Sequence, residues 1–107
     1  MTRYWDNIGN TIPDAVKMQV AERAMRNKLL GLKIAKALHL EGEAADQYAD
    51  QIVEFGMFAG GNDDALIQVL LMDLKSNPNH EPYSEYELRS MMAETDYCAH
   101  RDIQHAA

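Results

Sequence analysis

Four histidines, one cysteine and a Gly-Gly-Asn-Asp turn are the residues of this 107-residue chain best equipped to bind or transform a ligand. Asp96 and His100 stand four apart, which puts a carboxylate and an imidazole on one helix face and supplies two ligands of a metal site. Such sites take three or four convergent ligands, and His39, His80 and His105 bring no second pair at matching spacing, so no metal is expected. A nucleophilic Cys98 needs a base beside it, and His100 lies two residues on, toward a different helix face. Cys98 therefore reads as a small apolar residue near an inner stripe. Gly60-Gly61-Asn62-Asp63 precedes a helix but lacks the Lys and Ser/Thr of a phosphate-binding loop, and Asp63 and Asp64 would repel a phosphate. It reads as a turn and a cap. Asp63, Asp64, Asp73, Glu85 and Glu87 read as solvated helix charges rather than an acid–base pair. No catalytic residues, cofactor or enzyme activity are expected.

The remaining chemistry is electrostatic. The net charge is −7, from 10 Lys and Arg against 17 Asp and Glu, which makes a poor general nucleic-acid binder. Residues 1 to 40 nevertheless hold seven bases and three acids, a local charge of +4, while the remainder carries −11. Part of that polarity draws the basic segment onto the acidic ones. Arg23, Arg26, Lys28, Lys33 and Lys36 fall on more than one helix face, so part of it is left for a partner. Arg26, Asn27 and Lys28 would meet an acidic protein surface or a nucleotide phosphate, Arg through a bidentate fork and Lys as a point charge.

Turn-formers divide the elements that position these residues. Residues 1 to 12 include Asp6, Asn7, Gly9, Asn10 and Thr11, poor helix-interior residues, and read as a loose arm whose apolar anchors are Tyr4, Trp5 and Ile8. Pro13 suits the first turn of a helix and Asp14 its positive end. From there to about Leu40, Met18, Ala21, Met25, Leu29, Leu32 and Ala35 recur at helical spacing, with Leu30, Ile34 and Leu38 widening the stripe. The N-terminal half of this long helix is expected to be less covered, and Gly31 to mark a close helix crossing. A second helix runs from about Glu43 to Phe58 on Ala45, Tyr48, Ala49, Ile52, Val53 and Gly56. Asn62 caps a third, to about Lys75, whose inner face is Leu66, Val69, Leu70 and Leu74. Ser84 and Glu87 form a capping box for a fourth, with Leu88, Met91 or Met92, Thr95, Ala99 and Ile103 inward.

Four amphipathic helices without strand alternation specify an all-α four-helix bundle, residues 14–107, preceded by the arm, residues 1–13. At 47% hydrophobic and 25% charged the chain is expected to fold as one soluble domain. The apolar stretch Ala65 to Met72 is too short to cross a bilayer. One cysteine and no apolar leader core point to a cytoplasmic protein.

The string Arg26-Asn27-Lys28-Leu29-Leu30-Gly31-Leu32, with Ala21 to Ala24 before it and Ala35 to Leu40 after it, resembles an alphaproteobacterial family. That family is the zeta subunit, an inhibitor of the F-type ATP synthase. The resemblance continues through Ala44 to Val53 and the turn at Gly61 to Asp64, and spans roughly residues 15 to 103. It implies a noncatalytic four-helix bundle whose arm folds as a helix into the catalytic head of the ATPase and blocks rotation in the hydrolytic direction. The head is thus the implied partner. The resemblance implies a charged helical arm, whereas this chain has Gly9, Asn10 and Pro13 there, and Lys33 where the family has an aromatic residue after the Gly-Leu pair. Weakened inhibition is expected. The alternative from the residues is a bundle that binds a small ligand or nucleotide without touching an ATPase.

Overall fold

The computed structural model describes residues 14–77 and 83–106. They form four helices, α1 Asp14–Ala37, α2 Gly42–Phe58, α3 Asp63–Lys75 and α4 Glu85–Ala106, and no strand is present among them. This is the all-α four-helix arrangement the periodicities specify. The expected loose arm, with Tyr4, Trp5 and Ile8, lies outside the described residues.

Each boundary has a local cause. α1 stops three residues short of the expected Leu40 because His39 adopts the left-handed conformation, φ 62°. The Leu40 amide then reaches back to the Ala35 carbonyl at 2.9 Å and the His39 amide to Lys36 at 3.0 Å, which pairs two carbonyls a helix end leaves open. α2 ends the same way on Gly60, whose neighbour Gly61 donates to the Gly56 carbonyl at 3.3 Å. Asn62 caps α3 by accepting the Ala65 amide at 3.1 Å. The capping box is formed at α4: Ser84 Oγ accepts the Glu87 amide at 3.1 Å and the Glu87 carboxylate accepts the Ser84 amide at 3.4 Å.

The core is built by Leu30 and Ile34 of α1, Ile52 of α2, Leu66, Ile67, Leu70 and Leu74 of α3, and Leu88 and Met92 of α4. α1 packs chiefly against α2 and α4. Met92, not Met91, is the inward methionine of α4, and Thr95 is accommodated inside by donating its hydroxyl to the Met91 and Met92 carbonyls. α1 departs from the expected stripe. Ala35 is buried, but Met18 and Ala21 are exposed and Met25, Leu29 and Leu32 are only half-buried. The buried face is instead Arg26, Asn27, Leu30, Gly31, Ile34 and Ala35. Only Leu30 and Ile34 of those six carry a large apolar group, so hydropathy assigns the inner face to the neighbouring stripe. The first turns of α1 are uncovered as expected, residues 15 to 21 all being exposed.

Gly31 is where α1 and α2 cross closely. A Cβ on it would lie 2.7 Å from the Ala49 Cα, so only glycine admits the crossing.

Candidate docking site

The buried pair on α1 organises the junction of three helices. Arg26 is 2% exposed. Its guanidinium donates to both carboxylate oxygens of Asp63, Nη2 to Oδ1 at 2.7 Å and Nη1 to Oδ2 at 3.1 Å. Nε and Nη2 also donate to the Asn27 amide oxygen at 3.0 and 2.9 Å, and Asp96 of α4 stands 3.6 Å away. Burial opposes the charge on Arg26, but the bonds to Asp63 and Asp96 outweigh it and hold its pKa above the ordinary value. Reciprocally, the Arg26 bond holds the Asp63 carboxyl below its ordinary value, with Arg23 and Arg89 adding to the effect and partial burial opposing it. Asp63 is therefore a half-buried partner of two arginines rather than the solvated helix-start charge the sequence suggests.

Asn27 is equally buried, at 2% exposed. Arginine only donates, so the Asn27 atom facing Arg26 must be the oxygen, which turns the amide nitrogen toward Gly56 of α2. A Cβ at Gly56 would sit 2.2 Å from that nitrogen, and glycine there is what lets the side chain lie flat between the helices.

Arg23 reaches the surface beside them. Its Nη1 donates to the Gly61 carbonyl at 3.0 Å and to Asp63 at 3.2 Å, with the side chain 46% exposed. Lys28 turns to the other side of α2, where its Nζ meets Asp50 at 2.7 Å. Lys33 pairs with Glu94 of α4 at 3.3 Å. Much of the charge separation along the sequence is thus consumed between helices. The structure brings Arg23, Arg26 and Asn27 into one cluster and leaves Lys28 apart.

Between the uncovered turns of α1 and the end of α2 runs an open cleft of about 760 Å³. Val20 and Ala24 of α1 face Val53 and Met57 of α2 across it, Asn27 and Gly56 lie at its floor, and Arg23, Gly60 and Gly61 close one end. Glu22 and Asp96 also line it. Val20 and Met57 are more than half exposed, and Phe58 beside them is 90% exposed. Sequence reasoning missed Asp63, Asp96, Gly56, Val20, Met57 and Phe58 as members of one site. The Arg26–Asp63 pair joins residues 37 apart and carries no spacing signal, and Phe58 reads as the apolar end of a helix until the packing leaves it 90% exposed.

Elsewhere the Tyr48 hydroxyl donates to Asp73 at 2.8 Å, tying α2 to α3, and burial together with that carboxylate raises the phenol pKa. His100 Nδ1 meets the Glu22 carboxylate, tying α4 to α1. Among the described residues no three His, Cys, Asp or Glu side chains converge on a metal-sized site. Among the same residues no helix is long and apolar enough to cross a membrane.

Compared with known protein families, the chain matches the model described as ATPase inhibitor subunit zeta over residues 14–102. No curated protein and no solved structure matches it.

Proposed function

Because the chain belongs to the ATPase inhibitor subunit zeta family, a noncatalytic regulatory family associated with the ATP synthase, we propose that its bundle docks on the catalytic head of the F-type ATP synthase and that its inhibition is weakened. The observation that carries the reading is the family match over the whole helical region. Residues 1–13 form the arm and residues 14–107 the bundle.

Of the sequence-derived binding residues, Arg23 and Lys28 reach the surface and are the cationic contacts for an acidic head. Arg26 and Asn27 act from below, holding the α1–α3 junction and the floor of the cleft. Tyr4, Trp5 and Ile8 are the arm's apolar anchors. A helical arm entering the head loses about 1 kcal/mol at Gly9 and about 3 kcal/mol at an interior Pro13. Each 1.4 kcal/mol is about a tenfold change in affinity, so the arm contributes little to the inhibited state.

The test is ATP hydrolysis by the catalytic head of the same organism, comparing the chain with a chimera carrying the arm of an inhibitory family member in place of residues 1–13. Weak inhibition by the chain and restored inhibition by the chimera are expected. Full inhibition by the unmodified chain at about 1 μM refutes the weakened-arm reading. A nucleotide ligand is the alternative, and direct titration with ADP tests it.

A further inference from the structure

We propose that the cleft between α1 and α2 is a receptor for a peptide segment of the partner, taking one apolar side chain between its walls and a main-chain carbonyl at Asn27. The partner is the catalytic head only insofar as the family reading holds.

The carbonyl requirement comes from Asn27. Its oxygen accepts both bonds from Arg26, and its NH2 group meets no acceptor among the described residues. The side chain is 2% exposed and lines the cleft, so what little of it is accessible opens into the cleft. No buried side-chain polar atom among the described residues lacks a partner, so this NH2 group reaches water through the open cleft, and an arriving carbonyl takes that water's place. The apolar requirement comes from the walls. Val20 and Ala24 are one helical turn apart on α1, Val53 and Met57 one turn apart on α2, and together they form two facing ridges.

Charge selects a peptide over a phosphate. Glu22 and Asp96 both line the cleft, and Arg23 already donates to Asp63 and to the Gly61 carbonyl. A phosphate group would enter beside two carboxylates with one committed arginine to meet it. A neutral carbonyl carries no such penalty, and chain ends of helices present carbonyls that are open to an outside donor.

Three variants of the full chain probe this, two on the exposed walls and one at the buried Asn27. Val20→Glu and Met57→Glu place a carboxylate on exposed parts of the two walls. Asn27→Asp keeps an acceptor for Arg26 and removes the two donors, while adding a negative charge against the Arg26 guanidinium. Thermal melts followed by circular dichroism report whether each remains folded.

Two measurements follow. The first is affinity for the catalytic head of the same organism, where each folded variant is expected to bind about tenfold more weakly than the parent. Unchanged affinity in all three overturns the cleft as the docking surface while leaving the family reading in place. The second needs no ATPase: N-acetyl-phenylalanine methylamide is titrated into the 15N-labelled chain while the Asn27 side-chain amide is followed by NMR. A saturable shift of that amide, lost in Met57→Glu and not produced by inorganic phosphate or ADP, is the expected result. No shift, or the same shift from phosphate, overturns the proposal. If the parent chain fails to bind the head, the docking reading falls and this titration alone decides the cleft.

Discussion

Arg26 concentrates the stability of the α1–α3 junction in one charge. It is almost fully buried, whereas its partner Asp63 keeps 36% of its side chain exposed and a second arginine, Arg23, at 3.2 Å. The two halves of the pair should therefore fail unequally. Asp63→Ala leaves a buried guanidinium with only the Asn27 oxygen and the exposed Asp96 at 3.6 Å, and is expected to cost about 3 kcal/mol or more. Arg26→Met leaves a carboxylate that Arg23 and water can still serve, and is expected to cost about 1–3 kcal/mol, mainly through the orphaned Asn27 oxygen. Urea denaturation of both variants measures the order. Acid reports on the same pair. The folded-state pKa of Asp63 is depressed, so the unfolded chain takes up its proton first and the stability from this group is full above about pH 4, declining as pH falls through the folded value. The slope of stability against pH between about 4 and 2 should be shallower in Asp63→Asn than in the parent.

At the scale of the elements, backbone conformation and close approach dominate. His39 holds a left-handed φ of 62°, which costs an ordinary residue about 1–2 kcal/mol and glycine almost nothing. His39→Gly is thus expected to raise stability by about 1 kcal/mol, read as an increase in melting temperature. Gly31→Ala goes the other way. Its gain of about 1 kcal/mol in helix propensity is outweighed by a Cβ 2.7 Å from the Ala49 backbone, and a net loss of about 1–3 kcal/mol is expected. Denaturant midpoints decide both. The elements themselves were legible in the sequence because Asn62, Ser84 with Glu87, and Gly60 announce boundaries by local chemistry that tertiary contacts do not alter. The end of α1 was not, since a histidine in the left-handed conformation has no strong sequence mark. The inner face of α1 was misread for a related reason: a buried Arg, Asn and Gly look polar or neutral in a periodicity, and only the distant Asp63 makes Arg26 fit to be inside. The core faces of α2, α3 and α4, built on Ile52, Leu66, Leu70, Leu74 and Leu88, bury no charge and only the Thr95 hydroxyl, and were read correctly apart from Val69, which is half-buried where Ile67 is inside.

For the whole molecule, the charge separation resolves into interhelix pairs: Arg23 and Arg26 with Asp63, Lys28 with Asp50, Lys33 with Glu94 and Arg89 with Asp64. Beside these pairs the surface also exposes large apolar side chains at Val20, Met57 and Phe58. An uncovered helix start beside an apolar cleft is what a bundle that works by docking requires, and it places the contact next to the point where residues 1–13 join α1. This bundle is proposed to dock on the catalytic head of the F-type ATP synthase while its arm inhibits poorly. The most direct test titrates the intact chain against the purified head of the same organism, recording binding and ATP hydrolysis in the same samples. Saturable binding at about 1–10 μM with most hydrolysis retained at saturation is the predicted result. No binding at about 100 μM, or hydrolysis abolished in proportion to occupancy, would contradict it.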